Sequence, residues 1–175
     1  MDKILFRIAR MKFTGSLIGL ALAYLPFIVP VKKIIKNKNV ISFFHPVPTY
    51  PDHVLIVPRK VARNLFALSS DDFISVVDMA IKIRKDNRQD YTLLINGGDR
   101  QDVMQAHFHL FSGNTALKKG LLKEVGNPFL SDQKHFWKQV SDNWEEYLSR
   151  NGLTVMSFSV LIQFEADAYP LVYFI

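Results

Sequence analysis

Between positions 31 and 113 the apolar residues come in short runs, and most runs are closed by proline, glycine or asparagine. That punctuation leaves little room for long helices and favours short strands with tight connections. "VKKII" and "VISFFH" flank "KNKN", whose asparagines suit a turn, so residues 31 to 45 are expected to form a β-hairpin. "HPVPTYPDH" is too rich in proline for a regular element and is expected as an ordered loop, whereas "HVLIVP" is a β-branched run closed by Pro58 and is expected as a buried strand. One segment breaks the pattern. In "SSDDFISVVDMAIKI" Ser69 caps a helix, acidic residues occupy its first turn, and Phe73, Val76, Val77, Ala80 and Ile81 share a face. "YTLLI" is expected as a strand, "NGGD" as a tight turn and "QAHFHLF" as another strand. In that last strand Ala106, Phe108 and Leu110 face the core, while Gln105, His107 and His109 face the other way. Short strands, tight connections and one amphipathic helix make an α+β fold with a mainly antiparallel sheet.

A chain of 175 residues, about half of them apolar, suits one domain with additions at its ends. We place the domain at residues 31–113, a basic and hydrophobic helical segment at 1–30, and a helix-plus-hairpin extension at 114–175. The absence of cysteine excludes disulfides and thiolate metal sites. The net charge of +6 favours anionic partners, although for so small an excess a solvated basic exterior is the default reading.

Phe13 to Val31 carries no charge, but a helix stopped before Pro26 falls short of a bilayer core. Lys3, Arg7 and Arg10 share one helical face and Ile4, Ile8 and Met11 another, which suits either a helix on an anionic membrane surface or one docked on its own domain. A cleaved signal peptide is a third reading. A cytoplasmic location is expected, peripheral or anchored at the inner membrane face if residues 1–31 touch lipid. At the other end, "SDQKHFWKQVSDNWEEYLSRNG" has a cap and an Asn-Gly stop and is expected as a helix, with Phe136, Trp137, Trp144 and Tyr147 packing on the sheet or on a second subunit. "LTVMSFSVLIQF" and "YPLVYFI" are expected as a terminal hairpin. No nucleic-acid reading motif accompanies the basic residues, so nucleic acid is not an expected partner.

Two histidines at i and i+2 on a strand admit three physical readings: a metal pair completed by His53 or Asp102, a nucleophile with its helper, or polar residues on a wet face. The HxH spacing does not choose among them. For nucleophilic chemistry a neutral imidazole attacks phosphorus, provided its other nitrogen is hydrogen-bonded so that the tautomer is fixed.

The wider context, "FFHPVPTYPDHVLIVPRK" followed by a capped helix and "LLINGGDRQDVMQAHFHLF", resembles the histidine triad (HIT) family in order, spacing and residue type from about Ile34 to Gly113. The resemblance implies a five-stranded antiparallel sheet with two helices, commonly paired as a homodimer, with the terminal segments as additions. It implies hydrolysis or transfer of a nucleoside monophosphate through a nucleotidyl-histidine, without a cofactor or an obligatory metal. The middle triad position is His107, the nucleophile; the last is His109, a donor to phosphate; and His53 matches the helper beside them. The first position is Gln105, a departure, since glutamine carries no titratable proton. Asn96 and Gln101 match residues that hold the phosphate and leaving group. Asp102 stands where many nucleotide-hydrolysing members have serine, and His45 where better-known relatives have an acidic ribose-binding residue. The expected partner is a nucleotide or nucleoside phosphoramidate. The alternative is a nucleotide-binding or regulatory module without turnover.

Overall fold

The computed structural model describes residues 33–85, 90–101, 103, 105–113, 123–124, 138, 141–150, 152–153, 156–164 and 171–174. The N-terminal segment, Asp102, Phe136 and Trp137 lie outside the described residues, and so do the expectations that fall on them. Among the described residues no helix is long and apolar enough to cross a membrane.

The expected hairpin forms, with β1 at Lys33–Lys36 and β2 at Val40–Phe44. Asn37 makes its turn, its side-chain oxygen accepting from the amides of Asn39 and Val40 at 2.8 and 2.7 Å. β3 is Val54–Pro58, β4 Tyr91–Gly98 and β5 Phe108–Ser112. A two-residue β6 (Lys123–Glu124) and the terminal hairpin of β7 (Ser157–Phe164) and β8 (Leu171–Phe174) complete the sheet. Among the described residues it has eight strands in the order β1-β2-β3-β5-β4-β7-β8-β6, each pair antiparallel. The sheet is therefore wider than the five strands expected. The terminal hairpin and β6 supply the difference: β7 pairs with β4 along its whole length, from Tyr91↔Phe164 to Gly98↔Ser157, and β6 pairs with β8.

Helix α1, Ser70–Lys85, begins where the cap requires, with the Ser69 hydroxyl accepting from the Asp72 amide at 3.2 Å. It lies against β2 and β3. Phe73, Val76, Val77 and Ala80 are fully buried there, and the Phe73 ring meets that of Phe108 of β5 at a tilt and that of Trp144 edge to face. Trp144 opens the short helix α2, Trp144–Arg150. One apolar cluster joins α1, α2 and this face of the sheet, including Phe158 and Val160 of β7.

"NGG" behaves differently from the turn expected of it. Asn96, Gly97 and Gly98 complete β4, and the chain turns just after them. A Cβ on Gly97 would meet the Phe158 ring at 2.0 Å, and one on Gly98, at φ 60°, would meet the Met156 carbonyl oxygen at 2.0 Å. The glycines let β4 run close against β7.

Candidate active site

Strand alternation assigns the second face of the sheet. Phe108 and Leu110 point to the helix side, so His109 and Phe111 point away from it. His109 sits between Leu55 of β3 and Leu94 of β4. Two residues along β4 is Asn96, level with Ser159 of β7, and two residues before His109 is His107. Just before β3, at the same end, His53 lies level with His45, whose amide donates to the His53 carbonyl at 2.8 Å. The fold thus gathers His45, His53, His107, His109 and Asn96 from four sequence segments onto one face.

The hydrogen bonds fix which ring nitrogens carry protons, because a backbone amide can only donate. The Thr49 amide donates to His53 Nδ1 at 3.3 Å, so the His53 proton is on Nε2. That Nε2–H donates to His109 Nδ1 at 2.9 Å, which puts the His109 proton on its own Nε2. The Val47 amide likewise donates to His45 Nδ1 at 3.1 Å. His107 has the opposite tautomer: its Nδ1 lies 2.7 Å from the carbonyl oxygen of Gln105, an acceptor only, so Nδ1 carries the proton and Nε2 the lone pair. The rings of His107 and His109 stand edge to face with centroids 5.0 Å apart. A ring-nitrogen lone pair and an N–H donor therefore belong to neighbouring imidazoles.

His45, stacked 4.1 Å above His53, and Tyr50, stacked 4.1 Å on Phe111 and edge-on to His53, enclose the pair. His45 and His53 are buried and His107 and His109 half-buried. Burial in this cluster, followed by the like charges that His45 and His107 would carry, lowers the pKa of His53 to about 4. Burial, then the charges His107, His53 and His45 would carry, lowers that of His109 to about 2. Both stay neutral at physiological pH, as the tautomer chain requires.

Ring nitrogens of His45, His53 and His109 lie within 4.8 Å of one another, a spacing a metal ion accepts. Their lone pairs are otherwise engaged. Those of His45 and His53 receive backbone amides and that of His109 receives the His53 proton, so the trio is wired as a hydrogen-bond chain.

Gln105 is buried just ahead of β5. Its amide is 1% exposed and staples the chain to the segment after β3: Oε1 accepts from the Ala62 amide at 3.3 Å and Nε2 donates to the Lys60 carbonyl at 3.2 Å. The Ala106 amide adds a 2.7 Å bond to the Ala62 carbonyl. Gln105 thus fixes the backbone carbonyl that orients His107. Gln105→Leu would leave the buried Ala62 amide without this partner and is expected to cost about 1 to 3 kcal/mol. Urea unfolding measures this; a loss below about 0.5 kcal/mol would show that the staple contributes little.

Gln101 makes a similar tie between loops, its Nε2 donating to the carbonyls of Arg63 and Val103, each at 2.6 Å. Asn96 Oδ1 accepts from the Ser159 hydroxyl at 2.7 Å, which leaves its Nδ2 as the donor end. Sequence reading did not single out Ser157, Ser159 or Arg100. Arg100 donates from Nε to Ser157 Oγ at 3.2 Å and from Nη1 to Ser159 Oγ at 3.3 Å. The partner serines are some sixty positions away and reach the site only through the β4–β7 pairing.

Comparison with known proteins agrees with this architecture. The HIT domain matches residues 28–116. An uncharacterized HIT-like protein of Chlamydia muridarum is 33% identical over 93 residues, covering 49% of this chain and 73% of the relative. A counterpart in Helicobacter pylori strain 26695 is 25% identical over 91 residues, covering 49% of this chain and 88% of the relative. Among solved structures, a HIT family hydrolase from Clostridium thermocellum aligns with a TM-score of 0.50 at 23% identity, over 58% of this chain and 92% of the other. Yeast Ap4A phosphorylase in complex with AMP aligns with a TM-score of 0.50 at 14% identity, over 89% of this chain and 64% of the other. These two likenesses are of fold.

Proposed function

The chain belongs to the HIT family, and from that premise we propose that it is a nucleotide hydrolase or nucleotidyl transferase acting at an α-phosphate. The observation that carries the reading is the 2.7 Å bond from His107 Nδ1 to the Gln105 carbonyl, which leaves the Nε2 lone pair beside the His109 donor.

His107 Nε2 attacks the α-phosphorus of a nucleoside phosphoramidate or polyphosphate. The new P–N bond forms as the bond to the leaving group breaks, and the leaving group departs with the bonding electron pair. Positive charge then builds on the imidazole, and the Gln105 carbonyl already faces the proton that carries much of it. His109 Nε2–H donates to a non-bridging oxygen, held in place by the relay from the Thr49 amide through His53. In the second half, water or another acceptor attacks phosphorus, the P–N bond breaks, its electrons return to Nε2, and the acceptor's proton passes to solvent. The donor end of Asn96 and the Gln101 loop flank the phosphate or leaving group, and His45 closes the site beside His53.

Hydrolysis of a panel of nucleoside 5′-phosphoramidates and dinucleoside polyphosphates tests the reading. Release of nucleoside monophosphate from at least one substrate class is expected. Nucleotide bound across the panel with nothing released would instead assign a binding module.

A further inference from the structure

An asparagine carboxamide has two ends of nearly equal size, and its terminal torsion has no strong preference of its own. Which end meets a phosphate is therefore decided by what holds the other. The choice matters at Asn96, because an N–H end attracts phosphate oxygens and a carbonyl end repels them. The residue that holds its Oδ1 is Ser159 of β7, whose hydroxyl donates to it at 2.7 Å. Ser159 is 7% exposed and lies outside residues 28–116, the stretch that matches the HIT domain.

The fold delivers that hydroxyl by register. Asn96 is paired with Ser159 in the β4–β7 ladder, so the two side chains stand opposite one another on one face of the sheet. A slip of one residue would turn Ser159 to the other face, into the apolar cluster that Phe158 and Val160 occupy. Two close approaches oppose the slip. The Phe158 ring lies over Gly97, where a Cβ would meet it at 2.0 Å, and the Asp99 amide bonds the Met156 carbonyl at 2.6 Å.

A hydroxyl can accept from Nδ2 as readily as it donates to Oδ1, so its own proton has to be directed. Arg100 does this, because its Nη1–H can only donate and reaches Ser159 Oγ at 3.3 Å. With Oγ already accepting from a cation, a second donor on it is disfavoured, and the hydroxyl proton goes to an acceptor, Asn96 Oδ1. β4 lies between β7 and β5, so an oxygen drawn towards β7 leaves Nδ2 as the end on the side of the histidines.

We propose that Ser159 is a positioning residue of the active site: it holds the Asn96 carboxamide with Nδ2 towards the substrate phosphate, which makes the terminal hairpin a working part of the site. The proposal rests on the reading of Asn96 as a donor beside the phosphate. Without the hydroxyl the carboxamide takes both orientations, and its oxygen faces the phosphate in a share of the molecules.

Full-length Ser159→Ala, Ser159→Thr, Asn96→Ala and the double variant Asn96→Ala, Ser159→Ala are compared with the unsubstituted protein on adenosine 5′-phosphoramidate and diadenosine tetraphosphate, and by calorimetry with AMP. On the substrate that turns over, Ser159→Ala is expected to lower kcat/KM about 5- to 20-fold, and Ser159→Thr, which keeps the hydroxyl, by less than about threefold. In the Asn96→Ala background the same Ser159→Ala substitution is expected to change kcat/KM by less than about twofold, since the group it acts through is gone. A loosened hairpin would harm both backgrounds alike. An equal fall in each, no fall in the unsubstituted background, or a Ser159→Thr variant no better than Ser159→Ala would overturn the proposal. If AMP binds and neither substrate is consumed, the hydrolase reading fails, and the same comparison of AMP affinities decides the proposal by the same criteria. An unsubstituted protein that neither turns over a substrate nor binds AMP would overturn both.

Discussion

His107→Ala is expected to reduce turnover by about a thousandfold or more while nucleotide affinity stays within about fivefold. The asymmetry follows from the bonding. His107 offers the Nε2 lone pair that its Nδ1 contact with the Gln105 carbonyl selects, and alanine offers no lone pair at all. In the proposed reading binding is spread over His109, Asn96 and the loop tied by Gln101, none of which loses a described hydrogen bond when the imidazole is removed. Steady-state hydrolysis with calorimetry on the same variant separates the two effects. Turnover equal to that of the unsubstituted protein would remove His107 from the chemistry; affinity lost in step with turnover would make it a binding residue instead.

The second large effect is on stability in acid. His53 and His109 have folded pKa values of about 4 and about 2 against an ordinary value of 6.5. Both are depressed histidines, so between these limits the unfolded chain binds protons that the native chain does not. Stability therefore rises with pH: the contribution is complete above about 6.5 and is lost as pH falls through 6 towards 4. At full slope each histidine contributes about 1.4 kcal/mol per pH unit, and about 2 kcal/mol per unit for the pair after allowance for solvent near His53. Urea midpoints at pH 7, 5.5 and 4.5 measure the loss. Carboxylates also protonate in the lower part of this range, so the double variant His53→Phe, His109→Leu provides the comparison. Its stability is expected to vary much less steeply; an unchanged slope would assign the acid sensitivity to other groups.

Local signals in the sequence were enough for several elements. The asparagines of "KNKN" placed the β1–β2 turn, Ser69 placed the start of α1, and the alternation in "AHFHLF" put His107 and His109 opposite the buried Phe108 and Leu110. Non-local pairing was not legible. "NGG" has the composition of a turn, and only the ring of Phe158 and the carbonyl of Met156, on a strand far along the chain, explain why it runs as strand. For the same reason the terminal hairpin was expected without a partner strand, and its first strand, β7, pairs with β4, where it brings Ser157 and Ser159 to Arg100. The backbone partners of Gln105, which lie just after β3, were not legible either, because they depend on how the chain before β5 meets that segment. The position of His45 at the end of β2 was visible, but its parallel stack on His53 depends on the β2–β3 register, which no spacing encodes.

The central claim is a covalent one, so rapid-quench intact-mass analysis during turnover of a dinucleoside polyphosphate tests it most directly. The account predicts a transient species heavier by one nucleotidyl group, acid-labile as a phosphoramidate is, mapped to the peptide containing His107 and absent in His107→Ala. Turnover at full rate with no such species at any quench time, or an adduct that persists in His107→Ala, would contradict it.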